Sequence, residues 1–353
     1  VAKSKELYLG KYTVIEKTAP EGFVHNGTKY DVELTYAGQN VSVTSTELSV
    51  YNERQKVSVS LKKIMANDKT FSIGNNGEII SVRFGIYAGE DIKASNGNAI
   101  PKDALITFAN CDNDGNITFD CDLPVGFKWY VKEIATDEHY ILSDTKYEFD
   151  TEYQGEDIKI IDIKVNDDKA IENNLIYGSV KGLKIDRETQ ETIKGAIFGL
   201  FKSDTTEFTE DNAILTAVTD ENGIFAFNNV PYGEYLIKEL KPADGYLDNE
   251  DVFTVTIKSN EQVIELTAVN DKVPEIGTTA TIDGNKEVNA TEVFTLTDTV
   301  EYKHLIPGKE YQLKGVLMDK ATGKALFIDG KEITSEVKFT PEQPSGTVDV
   351  LFT

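Results

Sequence analysis

The polarity of the chain is organised in short stretches of alternating apolar and polar residues, with hardly any run of helical period. Val57-Ser58-Val59-Ser60-Leu61 and Tyr12-Thr13-Val14-Ile15-Glu16 are examples. In a strand, side chains two apart share a face, so alternation of this kind predicts half-buried strands. Gly, Asn and Asp clusters punctuate the stretches. The pattern predicts an all-β chain of small sandwiches in tandem.

One phrase occurs three times, at Gly10–Phe23, Gly126–Tyr140 and Gly233–Tyr246. Each copy is a short alternating strand, then a Glu (Glu16, Glu133, Glu239), a turn, and an aromatic residue. Ahead of the second and third copies lie Asp112-Asn113-Asp114-Gly115 and Asp220-Glu221-Asn222-Gly223, which read as hairpin turns. Behind each copy comes a strand ending in Asn, at Asn52, Asn173 and Asn270. Two units also open on a strand carrying Lys, at Lys63 and Lys184. These repeats set the expected boundaries. Residues 1–53 are the back half of a unit whose opening strand lies upstream, 54–175 and 176–272 are complete units, and 274–353 is a different, incomplete β module.

Parity directs three polar residues inward. Trp129, Val131 and Glu133 share a face, as do Tyr235, Ile237 and Glu239; Val59, Leu61 and Lys63 align, as do Ala268 and Asn270. Asn173 falls in register with Ile161, Ile163 and Ile171, which favours it over Asn174. An unpaired buried ion costs several kcal/mol or shifts its pKa until neutral. A buried Lys–Glu ion pair with Asn as a hydrogen-bonding spectator satisfies that constraint. So does a reaction. In an apolar pocket the amine is a neutral nucleophile and the carboxyl keeps its proton. Glu would polarise the carboxamide, the amine would attack, and ammonia would leave an amide cross-link.

Composition narrows the function. Sixty acidic residues against 36 basic give a net charge of -24, which disfavours nucleic-acid phosphate and anionic membrane surfaces. No apolar run is long enough to span a bilayer, and the first residues lack the apolar stretch of a secretion signal. His25, His139 and His304 are scattered, so no zinc cluster, other metal site or cofactor is expected. No GxGxxG, P-loop or GxSxG motif occurs, and a conventional enzyme is not expected. The Asp112–Asn116 spacing resembles the opening of a calcium loop, but the later acidic ligands are missing and turn chemistry is preferred. Cys111 and Cys121 flank that turn in poor register for a disulfide and read as free thiols. The acidic stretches 206–212 and 248–251 read as solvated loops.

The Lys strand, the Gly turn, the Gly-x-Tyr…Glu…Pro-x-Gly-Tyr phrase and the final Asn together resemble collagen-adhesin B-type (Cna-B, SpaA-like) domains of Gram-positive surface adhesins and pili. The resemblance covers roughly 1–272 and implies prealbumin-like or immunoglobulin-like sandwiches arranged as a rod. It implies intramolecular isopeptide bonds Lys63–Asn173 with Glu133 as catalyst and Lys184–Asn270 with Glu239. The first unit retains only Glu16 and Asn52. The second departs from the pattern: Met65-Ala66 replaces an acidic turn, and no Pro follows Glu133. The segment from Pro274 looks like a VaFE-type repeat, a family that includes domains cross-linked by a Thr–Gln ester. Thr278 or Thr279 would supply the hydroxyl, with the Gln strand beyond Thr353.

These features predict an extracellular, cell-wall stalk of a Gram-positive adhesin or pilin-like protein. Peptidoglycan anchoring would lie outside this chain. The alternative is a module that itself binds a host matrix protein or glycan, with the Ile92–Leu105 insertion as the best place for it.

Overall fold

A computed structural model describes residues 2–93, 97–289 and 295–352. Their regular structure is almost entirely strand, with two short 3-10 turns at Glu78–Ser81 and Val165–Asp168. Among the described residues no helix is long and apolar enough to cross a membrane. The chain divides into two compact units, 1–176 and 177–353.

In the second unit, residues 177–272 form a sandwich of two sheets. Tyr177–Asp186 lies between Ile224–Pro231, antiparallel to it, and Val263–Asn270, parallel to it. The facing sheet runs Leu215–Val218, Ile197–Lys202, Gly233–Lys241, Val252–Ile257. Alternation puts Val180, Phe225 and Phe227 of one sheet and Phe198, Leu200 and Ile237 of the other into the shared core. Each such side chain contributes about 1.5–3 kcal/mol by leaving water. The parallel pairing of first and last strands matters most: Lys184 lies opposite Ala268, and Asp186 opposite Asn270. Residues 274–352 continue with a sheet of Glu275–Thr281, Leu296–Lys303 and Gly346–Phe352, beside a Tyr311–Val316/Thr334–Phe339 pair. Val300, Val350 and Phe352 are its core.

In the first unit, residues 54–175 repeat the sandwich. Lys56–Met65 pairs with Asn116–Phe119; facing it are Lys146–Asp150, Lys128–Ala135, Arg83–Ala88 and Leu105–Asn110. The last strand, expected as one piece, is two. Ile160–Lys164 and Ile171–Asn173 both run parallel to Lys56–Met65, separated by the Val165–Asp168 turn. Asn166, Asp167 and Asp168 there adopt positive φ, which Asn and Asp tolerate better than branched residues. Residues 2–53 contribute one antiparallel pair, Gly10–Ile15 with Lys29–Leu34. The strand expected over Leu48–Asn52 has no ladder partner among the described residues, and Leu48 and Val50 stay about two-fifths exposed at 40% and 41%.

The two Asp…Gly turns are not hairpin tips, as the dipeptides suggested. Each carries the chain from one sheet to the other: Leu105–Asn110 pairs with Arg83–Ala88, whereas Asn116–Phe119 pairs with Lys56–Met65. Asp112 and Asp220 each accept two backbone N–H groups through Oδ1, the Asx geometry that closes such a turn. Gly115 and Gly223, both at positive φ, accept the backbone N–H of Lys63 and Lys184 at 2.6 and 2.8 Å. A Cβ on Gly115 would lie 2.3 Å from the Lys63 carbonyl oxygen, and one on Gly223 2.5 Å from that of Lys184. Gly115→Ala is therefore expected to cost at least about 2 kcal/mol, combining left-handed strain with that clash. Trp129, the chain's single tryptophan and 1% exposed, reports on this sandwich alone. Its emission during urea unfolding measures the loss.

Candidate functional site

Both complete sandwiches enclose a lysine, a glutamate and an asparagine at one end of the core. Lys184 and Asn270 come from the adjacent parallel strands, offset by two residues, so the long lysine side chain runs along the strand to reach the carboxamide. Glu239 comes from the facing sheet. A β-bulge follows it: Phe198 pairs with Glu239, but Ile197 pairs with Lys241, leaving Leu240 as the extra residue. The other sandwich has the same irregularity, with Phe84 opposite Glu133 and Arg83 opposite Ala135. Bulges bend a strand and re-aim side chains, here at the point where the carboxylate must cross between sheets.

Lys184 Nζ is 3.1 Å from Glu239 Oε1 and donates to Asn270 Oδ1 at 2.6 Å. Asn270 Nδ2 donates to Glu239 Oε2 at 2.8 Å. The three groups close a ring, and all are buried, Lys184 completely at 0% exposure. Phe198 lies beside the amine, 5.4 Å from Nζ to ring centroid, and stacks on Phe225. Desolvation holds the Lys184 amine below the ordinary lysine value, against the opposing charge of Glu239.

The cluster of residues 54–175 has the same members in a looser arrangement. Lys63 Nζ is 3.9 Å from Glu133 Oε1 and donates to the Ile171 carbonyl at 3.1 Å. Asn173 Nδ2 donates to Glu133 Oε1 at 2.8 Å and to Thr136 Oγ1 at 2.9 Å, while its Oδ1 is buried without a partner. Glu133 Oε2 accepts the Ser143 N–H. Burial lowers the Lys63 pKa to about 8 and raises that of Glu133. Lys62 and Asn174 both point outward, Lys62 onto Asp168, leaving Lys63 and Asn173 as the inward pair.

In both clusters the carboxyl faces the carboxamide nitrogen rather than its oxygen. It thus lies between the lysine amine and the amide nitrogen, a position from which a carboxyl can exchange a proton with either. The contact expected between Glu and the carboxamide is made through the amide nitrogen.

Residues 2–53 hold half of this arrangement. Asn52 Nδ2 donates to Glu16 Oε1 at 2.6 Å, Glu16 Oε2 accepts the Asn26 N–H, and Asn52 Oδ1 is buried and unpartnered. Hydrogen bonding from Asn52 lowers the Glu16 pKa, the reverse of Glu133. His25 joins this cluster through the Glu16 carbonyl. In the last module, strand pairing sets Thr278 opposite Val300 and Ala280 opposite Asp298, so Thr278 shares the face of the buried Val300 and of Asp298. Thr279 lies opposite Thr299, whose hydroxyl bonds exposed Asp349. Asp298, which no motif marked, has a buried Oδ1 without a partner and a carboxyl raised by desolvation.

Other expectations resolve locally. Cys111 and Cys121 are free thiols, and burial pushes Cys111 up to about 11. Asp112 is committed to its turn. The 206–212 stretch is not wholly solvated, because Phe208 packs edge-on against buried Phe201 with Lys238 over its ring. Of the Ile92–Leu105 insertion, Ile92–Lys93 pairs with Ala99–Ile100, and residues 94–96 lie outside the described residues.

The fold and the repeated cluster define tandem β-sandwich domains with a buried Lys–Glu–Asn group. Residues 1–48, 58–169 and 178–272 match the SpaA prealbumin-like fold domain, and 274–353 match the T-Q ester bond containing domain. The chain belongs to the SpaA prealbumin-like domain family, followed by a T-Q ester bond domain. It is 22% identical over 288 residues to a collagen adhesin of Staphylococcus aureus, covering 76% of this chain and 24% of that protein. It is 31% identical over 109 residues to the trypsin-resistant surface T6 protein of Streptococcus pyogenes, covering 31% of this chain and 18% of the relative. The chain thus spans about a quarter or less of the length of these relatives. Among solved structures, the Bacillus anthracis TIE protein is similar with a TM-score of 0.54 at 23% identity, over 75% of this chain and 42% of that one.

Proposed function

We propose that this chain is a stalk segment of a Gram-positive surface adhesin or pilin-like protein, carried outside the cell and anchored to peptidoglycan through regions beyond these residues. Its complete sandwiches are stabilised by Lys63–Asn173 and Lys184–Asn270 isopeptide bonds that they form themselves, once, without a cofactor. The supporting observation is the enclosure of amine, carboxyl and carboxamide in one buried ring at Lys184, Glu239 and Asn270.

The chemistry balances within the cluster. Ammonium passes a proton to the carboxylate, giving a neutral amine and a carboxylic acid, the tautomer that a dry site favours. The amine nitrogen attacks the Asn side-chain carbon. The carboxylic acid protonates the departing nitrogen, the carboxylate collects the surplus proton of the new amide nitrogen, and ammonia leaves. Proton relay of this kind contributes typically 10²–10⁴-fold to a rate.

The mechanical consequence follows from strand order. Tension applied at Tyr177 and beyond Asn270 would enter the first strand, cross from Lys184 to Asn270, and leave directly from the C-terminal end of the last strand. Residues 185–269 would carry none of it. Closing a loop of 86 residues also removes unfolded-state entropy, about 4–5 kcal/mol by analogy with a disulfide. Because the link is an amide, reductants do not open it.

Two outcomes are expected. Intact mass should fall short of the sequence mass by about 34 Da, one ammonia of about 17 Da per bond. Glu239→Ala and Glu133→Ala should each restore about 17 Da, and a chain already at its sequence mass would leave both clusters as ion pairs. The second outcome concerns pH. The Lys63–Glu133 pair holds one shared proton between the raised Glu133 value and about 8. Above that window the acid is lost, and below it the amine is held as ammonium. Formation of the Lys63–Asn173 bond during cell-free synthesis should therefore peak inside the window and slow on both sides. A rate that keeps rising well past pH 9 would mean that the amine alone is limiting.

A further inference from the structure

We infer that Thr136 is a further catalytic residue of the Lys63–Asn173 site, one that fixes the leaving nitrogen; the inference rests on the isopeptide reading above. Thr136 stands three residues after Glu133, where the next sandwich has Pro242 three after Glu239. Its hydroxyl accepts the second N–H of Asn173 Nδ2 at 2.9 Å, beside the Glu133 contact at 2.8 Å.

The two sites differ in what holds the carboxamide. At Asn270 both ends are engaged: Oδ1 accepts from Lys184 Nζ, and Nδ2 donates to Glu239. At Asn173 the amine donates to the Ile171 carbonyl instead of to the carboxamide, whose Oδ1 has no partner. The Glu133 bond alone would leave the amide plane free to pivot about one contact. Thr136 removes that freedom by occupying the remaining amide proton, which keeps nitrogen rather than oxygen toward Glu133. A hydroxyl suits this place at both stages, since it accepts from an amide N–H and, by rotating, donates to the lone pair that nitrogen gains as the bond to carbon breaks. No proton is consumed at Thr136; the one that leaves with ammonia comes through Glu133.

The departure of this unit from the usual phrase thereby acquires a reason. Where the amine grips the amide oxygen, a proline is sufficient at this position. Where it does not, a hydroxyl substitutes for the missing contact.

The full chain made by cell-free synthesis, quenched at intervals and digested, gives separate yields of the two cross-linked peptide pairs, with Lys184–Asn270 as the internal standard. Thr136→Val and Thr136→Pro, neither with a hydroxyl, are expected to slow Lys63–Asn173 formation about tenfold, with Thr136→Ser within about twofold of the unaltered chain, as fits loss of one hydrogen bond to a reacting group. The Lys184–Asn270 rate should not move. Buried emission of Trp129 in the purified variants shows that the sandwich has folded. Equal Lys63–Asn173 rates in all four chains would overturn the role of Thr136 while leaving the isopeptide reading intact. Absence of both cross-links from the unaltered chain would overturn that reading itself. Loss of buried Trp129 emission in both hydroxyl-free variants would also overturn the assignment, making Thr136 a folding residue.

Discussion

A lysine amine enclosed with a carboxyl in an apolar core is the constraint on which the rest of this structure depends. Lys63 and Lys184 are among the largest wholly buried side chains in the chain, in a class otherwise made of aromatic and aliphatic groups. Removing both charges from water costs more than their mutual attraction returns unless every remaining hydrogen-bonding position is met. Neither cluster meets every one: Asn173 Oδ1 and Glu239 Oε1 are each buried without a hydrogen-bond partner. Neutralising the pair by proton transfer, and consuming the amine in the proposed amide bond, would leave only an uncharged carboxyl and an amide in the core. An arrangement that is costly as a resting ion pair makes physical sense as the poised reactants of a single turnover.

The backbone devices around the clusters all serve that enclosure. The parallel first and last strands put Lys and Asn side by side with a two-residue offset. The bulge after Glu133 and Glu239 turns a carboxylate across the gap between sheets. Gly115 and Gly223 bring the sheet-crossing turn against the backbone of the buried lysine, where no side chain would fit.

Much of this was legible in the alternation of residues, and the limits are instructive. Parity placed Lys63 rather than Lys62 on the apolar face and favoured Asn173 over Asn174, because a one-residue shift sends an entire apolar face into water. It could not find the bulges, which insert a residue without altering composition, or the break at Val165–Asp168, where alternation resumes after the turn. The Asp…Gly turns were recognisable as turns, but their partners were not: a tight turn joins antiparallel neighbours and strands of different sheets with the same residues. Thr136 carried no signal except a missing proline. Asp298 sits in a strand whose polarity does not set it apart, and only its burial does.

Glu16 and Glu133 differ in how far the fold encloses them. Both follow the same phrase, both accept from an Asn Nδ2, and both accept a backbone N–H through the other oxygen. Glu16 nevertheless titrates below the ordinary value and Glu133 above it. The difference is the surrounding core. Glu133 is sealed between two sheets, so desolvation dominates, whereas Glu16 remains near solvent and its hydrogen bonds dominate. A carboxyl held ionised cannot deliver a proton to a departing nitrogen. The motif thus specifies which groups meet, but enclosure between two sheets decides the direction in which the carboxyl titrates.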